Sequence, residues 1–289
     1  MTNAALKSVP CRICINDNAK LYCVKESASY YICKSCHSIF QYPLPESRHM
    51  AEYADKQYQS DNYRRYVDAR QIKHSHFRKR LNQFQQYFPS GRLLDVGCSC
   101  GYFLEVALEY GYDAYGVELS ETAIAAADPA IGPRITRESV NVLQSQRPGS
   151  FDLVTAFDII EHTDNPADFL RQVKALLRPG GGLVLSTPDT GHFLRYMLGK
   201  HWPMLQPMQH TVLFSRKSLR IALEHAGFRD IHITTAYKTI SMDYLIQQIR
   251  EYIPLVFRVY TIADSLIPIR LRQSLLTVNI GEMLAIASN

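Results

Sequence analysis

The sequence predicts an α/β fold, with helices on both faces of a mostly parallel β-sheet, behind a small cysteine-rich module. Three observations carry this reading. From Arg92 onward, short apolar runs alternate with helical stretches: RLLDV, FLEVALEYG, DAYGVEL, TAIAAAD, FDLVTAF, ADFLRQVKALL and GLVLSTP. Strands that alternate with helices favour a parallel sheet. A turn bearing Gly97 and Gly101 follows the first of these runs directly. Near the N-terminus, Cys11-x2-Cys14 and Cys33-x2-Cys36 are separated by eighteen residues.

Taken in order, the chain divides into a cysteine-rich segment at 8–42, a connector and helical lead-in at 43–90, and a main domain at 91–289. The lead-in is polar and aromatic to about residue 60, then charged and helical over 61–88. Gly91 and Gly111 punctuate element ends, and Pro179-Gly180-Gly181-Gly182 predicts a turn before a strand at 183–187. The irregular, proline-bearing stretch 188–214 is too long for an ordinary connector and reads as a lid loop. Its Trp202 either lines a substrate wall or buries the lid. Residues 215–226 read as a helix with Ser215 as N-cap and Gly227 as its stop, followed by the strand IHITTAY. A last strand falls near 280–287. Between these strands, 241–277 reads as a helical insertion in which Leu245, Ile249 and Ile253 make an apolar stripe. Arg250, Arg258, Asp264 and Arg270 interrupt it, so it lacks the ~18 uncharged residues of a membrane span. A dimer partner, a substrate lid or an anionic membrane surface would each suit that stripe and its arginines.

A chain of 289 residues, 46% hydrophobic and 20% charged, buries a proper core and is not a disordered tail. With no apolar run before Cys11, neither a secretory signal nor an anchor helix is apparent, and a cytoplasmic location is the expectation. Seven cysteines in tight pairs argue for reduced thiols over a secreted disulfide framework. Each Cys-x2-Cys pair forms a knuckle, and four thiolates close a tetrahedron, so Cys11, Cys14, Cys33 and Cys36 are candidate ligands of a structural zinc in a zinc ribbon. Cys23 and His37 are read as bystanders. The net charge of +5 leaves phosphorylated, lipid and nucleic-acid partners open.

The chemistry concentrates at two strand ends. Asp95 closes the first strand of the main domain, where ligands bind in open α/β sheets, and Gly97 and Gly101 permit a tight turn whose amides can approach a ligand. Seventeen residues beyond Gly101, Glu118 ends the next strand, where a carboxylate can accept both hydroxyls of a ribose. The glycine spacing does not fit G-x-G-x-x-G, which disfavours a dinucleotide. At the end of FDLVTAF stand Asp158, Glu161 and His162, and His210 precedes the Phe214-Ser215 element. Histidine has the intrinsic pKa of a general base for an alcohol or amine nucleophile.

Leu93–Gly101, Gly116–Ser120, Phe151–His162 and Leu177–Pro188 together resemble class I methyltransferases that use S-adenosylmethionine (SAM), over roughly 90–237. The resemblance implies a Rossmann-like, seven-stranded sheet and a SAM site built from Asp95, Gly97, Cys98, Ser99, Gly101, Glu118, Leu119 and Phe157. Ser99 stands where a third small residue, usually glycine, is common. The strand-end Glu-His pair resembles the group that includes the ubiquinone-biosynthesis O-methyltransferases, and implies a catalytic set of Asp158, Glu161, His162 and His210. The leading function is methyl transfer from SAM to a small or carrier-linked hydroxylated metabolite, with a sugar of surface polysaccharide or secondary metabolism as candidate. An RNA methyltransferase is the alternative, using the ribbon with Arg64, Arg65, Lys73, Arg78, Lys79 and Arg80, and Tyr63 and Tyr66 as stacking rings. The absence of Asn-Pro-Pro-Tyr after the fourth strand weighs against nucleic acid. A non-catalytic SAM-binding interaction protein is the third reading, and a homodimer is compatible with all three.

Overall fold

The computed structural model describes residues 9–243, 246 and 274–289. Strands β1 (Ala19–Lys25), β2 (Ala28–Cys33) and β3 (Ile39–Gln41) form an antiparallel meander around the cysteine pairs. Three helices follow: α1 (Ser47–Tyr58), α2 (Asp61–Asp68) and α3 (Arg70–Phe84). The stretch read as a connector is thus largely α1. Its half-buried stripe of Met50, Tyr53 and Tyr58 is sparse among charged and polar residues, which hid it.

The main sheet begins with β4 (Arg92–Val96), α4 (Tyr102–Glu109), β5 (Asp113–Val117), α5 (Glu121–Ala125), β6 (Ile135–Thr136) and α6 (Val140–Gln146). It continues with β7 (Phe151–Phe157), α7 (Pro166–Leu176) and β8 (Leu177–Pro188). Then come α8 (Phe193–Leu198), β9 (Val212–Leu213), α9 (Arg216–His225), β10 (Arg229–Ser241) and β11 (Leu275–Ser288). The seven strands run β10-β11-β8-β7-β4-β5-β6, parallel except for β11, which is antiparallel to both neighbours. Strand order therefore reverses at β4, and the crevice outside its carboxyl end is where such sheets bind ligands.

Local sequence explains the helices that clamp this sheet. In α7, Asn165 accepts hydrogen bonds from the amides of Ala167 and Asp168, Pro166 occupies the first turn, and Phe169, Leu170, Val173 and Leu176 form its buried face. In α9, Ser215 and Ser218 form a reciprocal capping box, and Gly227 at φ +85° ends the helix as the sequence predicts. One apolar cluster joins α7 and α9 to one sheet face, and a second joins α3 and α4 to the other. Each fully buried Leu, Ile or Phe contributes about 1.5–3 kcal/mol.

Three expectations are revised. The Pro179–Gly182 turn is absorbed into β8: Phe151 pairs with Leu177 and Leu153 with Gly182, so the intervening residues bulge out of the ladder. The lid loop is ordered packing, with Trp202 at 1% exposure among Tyr30, Ile39, Leu205 and Leu213. Trp202 therefore buries the lid instead of lining a substrate wall. Strand β9, two residues from that loop, pairs with β3 and completes a four-stranded sheet with the cysteine module. The helical insertion at 241–277 lies outside the described residues at 244–245 and over 247–273, its stripe included; Ser241 ends β10, and residues 275–277 open β11. Among the described residues no helix is long and apolar enough to cross a membrane.

Candidate active site

The turn between β4 and α4 is shaped by three left-handed residues, Gly97 (φ +71°), Ser99 (+51°) and Gly101 (+83°). A Cβ on Gly97 would stand 2.2 Å from the Ile159 side chain, and one on Gly101 would stand 2.5 Å from Ile131. Both positions thus require glycine for space as well as for φ. The turn's amides are engaged within the protein, contrary to the expectation that they reach for a ligand. Those of Gly97 and Cys98 donate to the Val117 carbonyl, Gly101 donates to Cys98, and Ser99 donates to the Glu118 carboxylate. The last contact matters most. Glu118, 5% exposed, accepts from the amides of Ser99 (3.0 Å), Leu119 (2.7 Å) and Ser120 (2.9 Å), which fix it at the end of β5.

The other residues expected around the cofactor divide by orientation. Asp95 is buried and accepts a 2.6 Å hydrogen bond from Thr155; burial, with Glu118 nearby, pushes its carboxyl up to about 7. The Cys98 thiol packs inward, 2.4 Å from where a Gly116 side chain would begin. Leu119 is 64% exposed and acts through its backbone, and Phe157 is wedged among Phe77, Phe84 and Phe103 beneath Arg80.

Helices α1 and α2 contribute residues that the sequence reading assigned to RNA or missed. The Tyr58 hydroxyl lies 3.4 Å from both Glu118 oxygens, and that of Tyr63 lies 2.9 Å from Ser99 Oγ. Tyr58 meets Tyr63 edge-on, and Tyr63, Tyr66 and Tyr102 stack in series. Burial raises the phenols of Tyr58, Tyr63 and Tyr66, so each remains a neutral donor. These rings fill the crevice above the turn. Their signal was the Tyr58, Tyr63, Tyr66 spacing just before a helix that packs on the glycine turn, and no apolar periodicity marks it.

Beyond β7 the chain turns sharply at Asp158 (φ +57°) and brings the four expected polar residues together. Asp158 accepts from Ser186 Oγ (2.7 Å) and meets Lys238 Nζ (3.3 Å), which also contacts Glu282; Arg80 lies 3.5 Å from Glu282. Burial alone would raise the Asp158 carboxyl, but Lys238 and Arg80 outweigh it and hold the group well below the usual range. Lys73, also on α3, lies 4.1 Å over the Tyr66 ring and is lowered to about 8 by burial and by Lys238. Lys238 and Glu282 sit on the terminal hairpin, 80 and 124 residues from Asp158, and no local pattern announces them.

Glu161 is fully enclosed and accepts from Thr187 Oγ1 (2.9 Å); burial and Asp158 raise it well above an ordinary carboxyl. The His162 and His210 rings meet edge-on at 4.8 Å. Each Nδ1 faces a backbone carbonyl, Gln209 O for His162 (3.0 Å) and Met204 O for His210 (2.7 Å). A carbonyl only accepts, so Nδ1 carries the proton and Nε2 keeps a lone pair. Burial lowers both imidazoles, His210 to about 3. One donor atom from each of Glu161, His162 and His210 lies within 4.8 Å of the others, a grouping that could hold a cation.

The four cysteines converge as well. Cys11 Sγ lies 3.5 Å from Cys36 Sγ, Cys14 Sγ lies 3.6 Å from Cys33 Sγ, and all four sulfurs fall within 4.8 Å of one another. The hydrogen bond between Cys11 and Cys36 lowers the Cys11 thiol and raises that of Cys36. Cys23 and His37 stand outside the cluster.

Comparison with known proteins places these features. The methyltransferase domain family matches residues 58–233. The ubiquinone biosynthesis O-methyltransferase of Xanthomonas campestris is 34% identical over 104 residues, 34% of this chain and 44% of that one. Its mitochondrial counterpart in Schizosaccharomyces pombe is 35% identical over 106 residues, 35% of this chain and 39% of that one. The chain thus spans less than half the length of these curated relatives. A SAM-dependent methyltransferase from Archaeoglobus fulgidus superposes with a TM-score of 0.52 at 18% identity, covering 78% of this chain and 99% of that one, which shows a shared fold. With strand order, glycine turn and strand-end carboxylate in agreement with that match, the chain belongs to the methyltransferase domain family, in its class I, Rossmann-like form.

Proposed function

We propose that this chain transfers a methyl group from SAM to a hydroxyl of a small or carrier-linked metabolite. The observation that carries the reading is Glu118, fixed by three amides beside the Gly97–Gly101 turn and one crevice away from the Asp158, Glu161, His162 and His210 cluster. Glu118 is placed to accept both hydroxyls of the SAM ribose, and Tyr58, which now contacts it, would give way. When bound, SAM supplies an electrophilic methyl group.

The cluster is suited to moving the acceptor's proton. Among the described residues neither Nε2 of His162 nor that of His210 has a hydrogen-bond partner and the carbonyl contacts orient both rings, so the lone pair of His162 would receive it; His210, lowered to about 3, is the weaker base of the two. Asp158, held ionised by Lys238 and Arg80, favours the cationic imidazole that results. A sugar hydroxyl fits this chemistry and is the acceptor class we favour. The cysteine cluster would hold a structural zinc, because four thiolates leave no open position for chemistry. Of the basic residues named for the RNA alternative, Arg80 is buried and Arg78 is paired with Glu109, which favours the metabolite reading.

Calorimetric titration of zinc-loaded protein with SAM and S-adenosylhomocysteine tests the reading. Saturable binding by wild type, lost in Glu118→Ala and Asp95→Ala, is the expected result. Folded wild-type protein that binds neither would overturn it.

A further inference from the structure

A cavity of about 300 Å³ lies in the seam between the cysteine module and the main sheet. Asp189 and Thr190 line it, directly after β8, whose Thr187 holds Glu161. Arg195 and Tyr196 of α8, and Arg216 and Lys217 at the start of α9, complete most of its wall. The proposed proton transfer uses none of these side chains.

Arg195 is the anomaly. Its side chain is buried, with 6% of the residue exposed; Nε donates to the Thr190 carbonyl, and the guanidinium lies 3.9 Å from the Tyr196 ring centre and 5.7 Å from that of Tyr22. Among the described residues no carboxylate comes within ion-pair distance of it. Asp189, the cavity's only acid, is already engaged by Arg216 Nε (3.1 Å) and by the Gly191 amide (2.7 Å). A buried cation without a counter-ion is costly, and an anion entering the cavity would offset that cost. Three cationic side chains face one carboxylate, so the wall retains a positive excess. A guanidinium fork matches phosphate oxygens in pairs, and the amino end of α9 adds its dipole. Tyr196, 68% exposed, offers a stacking face beside the cavity.

We propose that this cavity is a diphosphate-binding subsite that seats the carrier half of the acceptor while the hydroxyl to be methylated reaches the His162 and His210 cluster. The proposal rests on the methyltransferase reading and gives the acceptor a chemical class, a diphosphate ester.

The test is calorimetry on the full zinc-loaded chain with inorganic diphosphate, uridine diphosphate and a short prenyl diphosphate. Wild type is expected to bind at least one ester more tightly than inorganic diphosphate, and the tighter ester identifies a nucleotide or a lipid carrier. Arg195→Gln and Lys217→Glu should each weaken binding at least tenfold. Lys217 is exposed, so its variant reports even if the Arg195 variant unfolds. Glu118→Ala should lose SAM and keep diphosphate. Absence of binding to all three probes, binding that survives both substitutions, or equal affinity for the esters and the inorganic anion would overturn the proposal. Diphosphate binding by a wild type that does not bind SAM would instead sink the methyltransferase reading.

Discussion

Asp95 is a charge held against its environment. Its carboxyl is raised from 3.8 to about 7, so between about pH 4 and 7 the folded protein binds a proton that the unfolded chain has released. That group's contribution to stability therefore falls as pH rises through this window and stays low above it. Asp95→Asn is expected to raise the melting temperature of SAM-free protein more at pH 8 than at pH 4, by about 2–4 °C for each kcal/mol recovered. An equal shift at both pH values would contradict the assignment. Tyr58 offers a second test, because its hydroxyl lies 3.4 Å from both oxygens of Glu118, the carboxylate proposed to hold the SAM ribose. Removing that competing bond, worth about 1 kcal/mol, in Tyr58→Phe should tighten SAM binding about fivefold by calorimetry. The sequence reading pointed to Glu118, Asp158, Glu161 and His162 because each closely follows an apolar strand run, and to His210, 48 residues beyond His162, from the Phe214-Ser215 element. It could not tell that Cys98 faces inward or that Phe157 lies under Arg80, since orientation within a turn depends on neighbours from other elements.

Packing between the glycine turn and β5 leaves no room at Gly116, where a Cβ would stand 2.4 Å from Cys98 Sγ and 2.9 Å from its Cβ. Gly116→Ala is expected to cost about 1–3 kcal/mol in urea denaturation, an overpacking penalty. Cys98→Ala in the same chain should recover part of it, and strict additivity of the two changes would contradict a direct clash. At this scale the alternating strands and helices were readable because each buries a periodic apolar face. Helix α1 was not, for its stripe of Met50, Tyr53 and Tyr58 is sparse, and β9 was not, because two residues carry no period. The short strand belongs to the cysteine module's sheet by pairing with β3 alone.

Hydrogen bonds tie the cysteine module to the Glu161, His162 and His210 cluster. The Gln41 side chain donates to the His210 carbonyl, Ser215 Oγ to the Cys36 carbonyl and Thr190 Oγ1 to the His37 carbonyl, while the Thr211 amide reaches Glu161 O. Removing zinc with a chelator is therefore expected to lower kcat on any acceptor at least tenfold while leaving SAM affinity within about twofold, because the glycine turn lies on other elements. Equal losses in both would show general unfolding. Topology also orders events during synthesis. The module's four cysteines lie between residues 11 and 36, yet the strand that closes its sheet begins at Val212. At about 5–20 residues per second of synthesis, the cysteine pairs wait on the order of ten seconds or more for β9. Metal capture can thus precede completion of the sheet by most of the chain, and a truncated or stalled product would carry a loaded ribbon with an open edge, a natural target for chaperones.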